Sequence, residues 1–165
     1  MKKAAFWILV LFMIAKPAQV EAGQVKLDTA VIESFTNEIG DMYGFCPEFL
    51  QAVIEKESSN IPDAVNGECV GLMQINPKWH EDRMQRLGVT DLMDPFSNIL
   101  VGTDYLSELY AESVEKGYGD DMYYVLMRYN MKCSTVNSLW ESMEFSEYAM
   151  SVADRAAELE IEHGK

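Results

Sequence analysis

Residues 47–77 read PEFLQAVIEKESSNIPDAVNGECVGLMQINP, and they carry the strongest structural signal in the chain. Pro47 is favoured in the first turn of a helix, and the apolar residues after it recur at helical spacing. The pattern therefore predicts a helix that ends at Ser58. Glu57 falls where the apolar stripe continues, so we expect its carboxyl group on the buried face of that helix.

The segment after this helix is rich in turn-forming residues. Pro62 and the pair Asn66-Gly67 are typical of a turn-rich loop or a short hairpin, which predicts a small β-element near residues 65–76. Four further helices are predicted from apolar spacing, over about Thr29 to Met42, from Asp94 and Pro95 to Gly117, from Asp121 to Tyr129, and from about Phe145 to Ile161. The predicted fold class is mainly α (α+β), with about six helices and one small β-hairpin.

The length and charge of the chain limit the classes of function. With 165 residues, 48% of them apolar, the chain is long enough for one core and too short for two. Its 13 basic and 27 acidic residues give a formal net charge of −14. Binding to nucleic acid by bulk charge is excluded, because phosphate neutralisation needs a basic surface.

The N-terminal residues predict export. Two lysines precede an apolar run over residues 4–15, and Val20 and Ala22 fit a cleavage site after Ala22. We therefore predict a signal peptide over residues 1–22 and one domain over residues 23–165, located in the periplasm or outside the cell at the wall, with no membrane span after signal removal. The alternative is an uncleaved membrane anchor, which the short apolar run disfavours.

Metal and nucleophile chemistry have few candidate residues. The chain has three cysteines, Cys46, Cys69 and Cys133, and two histidines, His80 and His163. This set contains no standard zinc spacing, and nothing near His80 resembles a nucleophile elbow. We therefore predict no metal and no cofactor. Three cysteines permit one disulfide, whose pairing their spacing leaves open.

A carboxyl group on the apolar stripe of a helix is a candidate general acid. Burial penalises the charged form, so the pKa of Glu57 is expected to be raised. Cleavage of a glycosidic bond needs such a group, because the leaving oxygen must be protonated near neutral pH. The alternative is a helix-terminal glutamate whose side chain turns to solvent, as charged side chains commonly do.

Four motifs extend over most of the chain after the predicted signal. They are Glu57-Ser58-Ser59, the segment from Gly71 to Pro77, Asn98 with Gly102 and Tyr105-Leu106, and Tyr129-Asn130. In order and spacing this set resembles the soluble lytic transglycosylase (SLT) domain family of the lysozyme-like superfamily, from Tyr43 to Val152. The resemblance implies a lysozyme-like fold with the β-hairpin beside an active-site cleft.

The resemblance also implies an activity. Members of this family cleave the β-1,4 bond between N-acetylmuramic acid (MurNAc) and N-acetylglucosamine (GlcNAc) in peptidoglycan and form 1,6-anhydro-MurNAc. One glutamate acts first as acid and then as base, and Glu57 matches it. The implied partner is the peptidoglycan glycan strand. With its small size and predicted export, the chain resembles transglycosylases that open the wall for secretion, conjugation or pilus machines.

Further residues are assigned to substrate binding by the resemblance, namely Ser59, Gln74, Asn76, Tyr129 and Glu144. Gln74 matches a glutamine that can bond a saccharide, and its alternative role is to hold its own loop. Tyr129 matches a tyrosine whose hydroxyl approaches the catalytic carboxyl, and its alternative role is a core aromatic. For Glu144 the alternative is a solvated acid near the start of a helix.

The chain departs from the family pattern at several positions. Asn66 stands where many relatives have serine, and Cys69 stands at a usual alanine position. Cys133 lies where a glycine-containing turn is common. Because Cys69 and Cys133 both flank the proposed cleft, a disulfide joining its two walls is a hypothesis.

Two other functions remain open on the same fold. A hydrolytic muramidase would use Asp63 or Glu68 as a second carboxylate that positions water or captures the sugar. A non-catalytic subunit would bind the wall or an assembly without cleaving glycan. The joint presence of Glu57, Gln74 and Tyr129 weighs against a non-catalytic subunit.

Overall fold

The computed structural model describes residues 25–119 and 121–165, which form seven helices and one two-stranded antiparallel sheet. The helices are α1 (Thr29–Tyr43), α2 (Pro47–Ser58), α3 (Glu81–Leu87), α4 (Pro95–Glu115), α5 (Met122–Asn130), α6 (Cys133–Glu141) and α7 (Glu147–Glu162), and the strands are β1 (Val65–Asn66) and β2 (Cys69–Val70). The predicted signal peptide lies outside the described residues. Among the helices described, none combines the length and apolar character needed to cross a bilayer.

Helix α2 is the central helix of the fold. Every residue from Glu48 to Ile54 is buried, and the helix packs against α1 and α7. Helix α5 packs against α4 and α7 and closes the same core. Full burial of an aliphatic side chain such as Leu50 or Val53 contributes about 1.5 to 3 kcal/mol, so this helix is held firmly along its length.

Capping residues set where the long helices begin. The Asp94 side chain accepts a hydrogen bond from the Ser97 N–H at 2.9 Å, and Pro95 follows it at the first helical position. The predicted start of the last helix at Phe145 is two residues early. The Ser146 hydroxyl caps that helix, so α7 begins at Glu147.

The sequence prediction missed two short helices, α3 and α6. Helix α3 has seven residues, and Arg83 is the only one of them that is buried. Helix α6 has nine residues, and only Val136 is buried. Helix α3 has only Met84 and Leu87 as apolar residues, and in α6 the apolar residues Val136, Leu139 and Trp140 span little more than one turn, so neither segment is long enough to show a helical stripe clearly. This is why about six helices were expected and seven are found in the described residues.

The predicted β-element is a hairpin in which Val65 pairs with Val70 and Asn66 pairs with Cys69. The loop that follows folds back on the hairpin through an isolated bridge between Val70 and Ile75. The hairpin and this loop together form one wall beside the C-terminal end of α2.

Asn98 of α4 fixes the loop through its side-chain amide. Its Oδ1 accepts the Met73 N–H at 2.7 Å, and its Nδ2 donates to the Val70 and Leu92 carbonyl oxygens at 2.9 Å each. Gly71 has φ +78°, and a Cβ there would lie 2.0 Å from Asn98 Nδ2. The close approach of these two residues explains why the Gly71 segment and Asn98 belong to one motif set.

Candidate active site

Glu57 lies in the last turn of α2, where α7 packs against it, and its side chain is half-buried. The Tyr148 hydroxyl donates a hydrogen bond to Glu57 Oε1 at 2.5 Å. The carboxyl group is therefore held on the apolar side of the helix, as the stripe predicts, and does not turn away to solvent.

The environment of Glu57 favours its protonated form. Burial raises the pKa of Glu57 from the ordinary value of 4.5 to about 7, and the hydrogen bond from Tyr148 and the charge of Lys56 lower it by less. Near neutral pH the group therefore exists in both protonation states. That property suits a residue that must give up a proton and later take one back.

Tyr129 reaches the site from α5. Its hydroxyl donates to the Met73 carbonyl oxygen at 2.8 Å, and its ring packs against Tyr105 with centroids 5.4 Å apart. Burial raises the pKa of the Tyr129 hydroxyl, and the nearby charge of Glu57 adds to that shift. Tyr129 thus borders Glu57 and holds the loop, while the hydroxyl bonded to the Glu57 carboxyl is that of Tyr148.

Tyr148 was not among the predicted site residues, although it falls within the last predicted helix. A tyrosine on a buried stripe needs a partner for its hydroxyl, and α2 and α7 are packed together, so Glu57 was an available partner. Nothing in the local sequence indicates that pairing.

Gln74 and Asn76 hold the loop between β2 and α3. Gln74 Nε2 donates to the carbonyl oxygens of Gly71 at 2.9 Å and Ala64 at 3.2 Å. Asn76 is buried, and its Oδ1 accepts the Lys78 N–H at 3.0 Å. The alternative role of Gln74 as a loop anchor therefore applies in the structure.

Ser59 and Glu144 differ from these amides because both have exposed side chains. Ser59 caps α2 in the left-handed conformation, with φ 55°, two residues after Glu57. Glu144 lies in the connection between α6 and α7. The structure thus brings the loop of Gln74 and the ring of Tyr129 to Glu57, with Ser59 next to them along the chain.

The chain matches a known protein family. A family model described as the transglycosylase SLT domain matches residues 34–148, which is more than half of the chain. The chain belongs to the transglycosylase SLT domain family. This confirms the family resemblance stated from the motifs.

Solved structures show the same fold for this SLT domain. Lytic transglycosylase Slt from Pseudomonas aeruginosa, solved as an inactive mutant, matches with a TM-score of 0.66 and 20% identity, covering 79% of this chain and 24% of that one. The 70-kDa soluble lytic transglycosylase from Escherichia coli matches with a TM-score of 0.66 and 22% identity, covering 80% and 24%. A complex of a 70-kDa soluble lytic transglycosylase with bulgecin A gives the same values. The chain thus has the lysozyme-like fold of these enzymes and spans about a quarter of their length.

The cysteines of the SLT domain are free thiols. The hypothesis of a disulfide between Cys69 and Cys133 is therefore wrong for this structure. Cys133 Sγ lies 3.8 Å from Lys116 Nζ, whereas burial, and less strongly the charge of Glu57, raise the pKa of the Cys69 thiol. In the part of the chain that the structure describes, no group of three or more histidine, cysteine or acidic side chains is arranged to hold a metal ion.

Proposed function

We propose that this SLT domain is a peptidoglycan lytic transglycosylase that cleaves the MurNAc-β-1,4-GlcNAc bond and leaves 1,6-anhydro-MurNAc. The observation that carries the proposal is the half-buried Glu57 carboxyl, with a pKa raised to about 7 and a hydrogen bond from Tyr148. Membership of the SLT family supports the same reaction class.

Glu57 performs both proton transfers in the proposed reaction. As the acid, it gives its proton to the bridging oxygen while the bond from that oxygen to MurNAc C1 breaks. As the carboxylate, it then takes the proton of the MurNAc C6 hydroxyl, whose oxygen forms the new bond to C1. Water is not consumed, because the C6 hydroxyl is held next to C1 at a high effective concentration.

Tyr148 and the predicted substrate-binding residues have three roles in this proposal. Burial raises the pKa of Tyr148, so its hydroxyl stays a donor and stabilises the Glu57 carboxylate during the second step. Ser59 and Glu144 are exposed and can be reached by a glycan strand, whereas the amides of Gln74 and Asn76 shape the cleft by holding the loop.

The masses of the released muropeptides test the proposed function. Purified protein is incubated with peptidoglycan, and anhydro ends, which are lighter than reducing ends by one water, are expected. A hydrolytic muramidase would give reducing ends only, and a non-catalytic subunit would give no release. Either result would overturn the proposal.

The location and role of the enzyme are part of the proposal. Its substrate lies outside the cytoplasm, so the proposal includes export by the predicted signal over residues 1–22 and action of the domain over residues 23–165 in the periplasm or at the wall. We further propose that the enzyme opens the wall for a secretion, conjugation or pilus assembly.

Replacing Tyr148 by phenylalanine is expected to move the pH profile of the enzyme. The Tyr148 hydrogen bond lowers the pKa of Glu57, so its loss raises that pKa further above the ordinary value. Glu57 must be protonated to act as the acid, and the alkaline limb of activity should therefore shift upward by up to about one pH unit. The pH dependence of kcat measures this shift.

The matched control for this prediction is Tyr123→Phe. Tyr123 is a half-buried tyrosine of α5 whose ring stacks on Phe145. It should leave the alkaline limb unchanged. An unchanged limb in Tyr148→Phe as well would show that this hydroxyl does not tune Glu57.

A further inference from the structure

Lys56 directly precedes the candidate acid Glu57 and carries a positive charge that no carboxylate of the described residues pairs with. Most basic side chains in that part of the chain form ion pairs with acidic ones. The Nζ of Lys56 instead donates a hydrogen bond to the neutral hydroxyl group of Ser151 at 2.8 Å. A positive charge is therefore held next to Glu57 without a carboxylate to offset it.

The contact with Ser151 fixes where this charge lies. Ser151 follows Tyr148 by three residues on α7, so the two side chains leave the same face of that helix, with Cβ atoms about 5 to 6 Å apart. Tyr148 bonds the Glu57 carboxyl group, and Ser151 bonds the Lys56 ammonium group. The carboxyl and ammonium groups are thus held at neighbouring positions along α7.

A further contact keeps the two helices in this alignment. Glu55, the residue before Lys56, accepts hydrogen bonds from Arg155 of α7 at 2.7 and 3.3 Å. Three consecutive residues of α2 are therefore each bonded to α7, and Lys56 is the middle one. A charge that is fixed before the reaction begins needs little reorganisation to act on a neighbouring group.

The other titratable groups that face Glu57 are uncharged near neutral pH. They are Tyr148 on α7, Tyr129 on α5 and Cys69 on β2, and burial raises the pKa of each above its ordinary value. Burial also raises the pKa of Glu57, and the charge of Lys56 lowers it by less. Among the described residues, Lys56 is thus the charged side chain that acts on this carboxyl group.

We propose that Lys56 is a positioning residue for the cleavage reaction, in which its Ser151-bound ammonium group stabilises the Glu57 carboxylate formed when the bridging oxygen takes the proton. Lys56 acts through Glu57 and is not assigned a contact with the glycan. This inference rests on the proposed function, because it assigns Lys56 a part in the first proton transfer of that reaction.

The role of the charge follows from the two states of Glu57. Burial alone favours the protonated carboxyl group and so opposes transfer of its proton to the leaving oxygen. A nearby positive charge favours the carboxylate and makes Glu57 a stronger acid. Lys56 therefore offsets part of the effect of burial, while its exposed position keeps this effect sensitive to salt.

Titration of the Glu57 carboxyl carbon by NMR tests the proposal on the full chain with labelled glutamate, and the signal is assigned by its absence in Glu57→Gln. Lys56→Met is expected to raise the pKa of Glu57 by about 0.5 in 0.01 M salt. In 1 M salt the rise should fall below about 0.2, because the screening length drops from about 30 Å to about 3 Å. In active protein, the alkaline limb of kcat should move upward with the pKa.

Two variants separate the charge of Lys56 from its place in the fold. Lys56→Arg keeps the charge and should leave the pKa of Glu57 close to native. Ser151→Ala releases the ammonium group and should raise this pKa by less than Lys56→Met does. The matched control is Lys26→Met, which removes another exposed lysine and should leave the titration of Glu57 unchanged.

The titration needs no substrate, so its outcome is independent of the activity. An unchanged pKa of Glu57 in Lys56→Met, or a rise that persists in 1 M salt, would overturn the role of the Lys56 charge and leave the proposed function intact. Absence of muropeptide release by the native protein would overturn the proposed function, and with it the part of Lys56 in the reaction, whatever the titration shows.

Discussion

Replacing Glu57 by glutamine is expected to reduce turnover on peptidoglycan by about three orders of magnitude or more. Glutamine keeps the size of the side chain, and its carbonyl oxygen can still accept the Tyr148 hydrogen bond. It has no proton to give to the leaving oxygen, and it cannot take one from the C6 hydroxyl. Release of muropeptides by purified variant and native proteins measures the loss.

The same substitution is expected to stabilise the fold at alkaline pH. The pKa of Glu57 is raised in the folded protein, from 4.5 to about 7, so the folded state holds this proton more tightly than the unfolded chain does. The stability due to that proton is fully present below pH 4.5 and is lost as the pH rises through about 7. Glutamine does not ionise, so the variant should be more stable at pH 8 by about 3 kcal/mol at most. Thermal unfolding at pH 4 and pH 8 measures the difference.

These opposite effects separate catalysis from folding. A variant that is inactive and yet more stable at pH 8 has lost chemistry and kept its structure. The matched control is Glu38→Gln, an exposed carboxyl on α1, which should change neither turnover nor the pH dependence of unfolding. Near-normal release of muropeptides by the Glu57→Gln variant would contradict the assignment of Glu57 as the acid.

The elements that could be predicted from the sequence are those with long apolar stripes and clear caps. The bounds of α2, from Pro47 to Ser58, match the prediction because a proline starts the helix and its apolar positions are densely buried. The hairpin was predictable in place from Asn66-Gly67. Helices α3 and α6 were not, because each buries a single residue, and such short segments form through contacts with the rest of the fold.

The same distinction applies to the site residues: some could be predicted from local sequence, whereas the contacts of others depend on tertiary packing. Glu57 could be singled out because its position on a helical stripe is a local property. Its hydrogen bond with Tyr148 joins residues 91 positions apart and depends on how α2 and α7 pack, which periodicity does not encode. For Tyr129, the apolar spacing indicated a buried ring and the family resemblance implied a hydroxyl at the site, but neither could indicate that Met73 accepts the hydrogen bond.

Replacing Asn98 by alanine is expected to cause the largest loss of stability of any single change considered for this loop, about 3 to 5 kcal/mol. Asn98 is fully buried, and its amide makes three hydrogen bonds to backbone groups of Met73, Val70 and Leu92. Alanine would leave one N–H and two carbonyl groups without these partners in a place that water cannot easily reach. Denaturant unfolding measures the change in the free energy of unfolding.

Two further variants identify the amide as the cause. Ser97→Ala changes a neighbouring side chain on α4 and leaves the Asn98 amide in place, so its unfolding free energy should stay within about 0.5 kcal/mol of native. Asn98→Asp keeps an acceptor for the Met73 N–H but turns a carboxylate towards the Val70 and Leu92 carbonyls, so it should be destabilised at pH 7 as strongly as Asn98→Ala. If the alanine variant unfolds like the native protein, this amide does not hold the loop, and the loop wall beside Glu57 depends on other contacts.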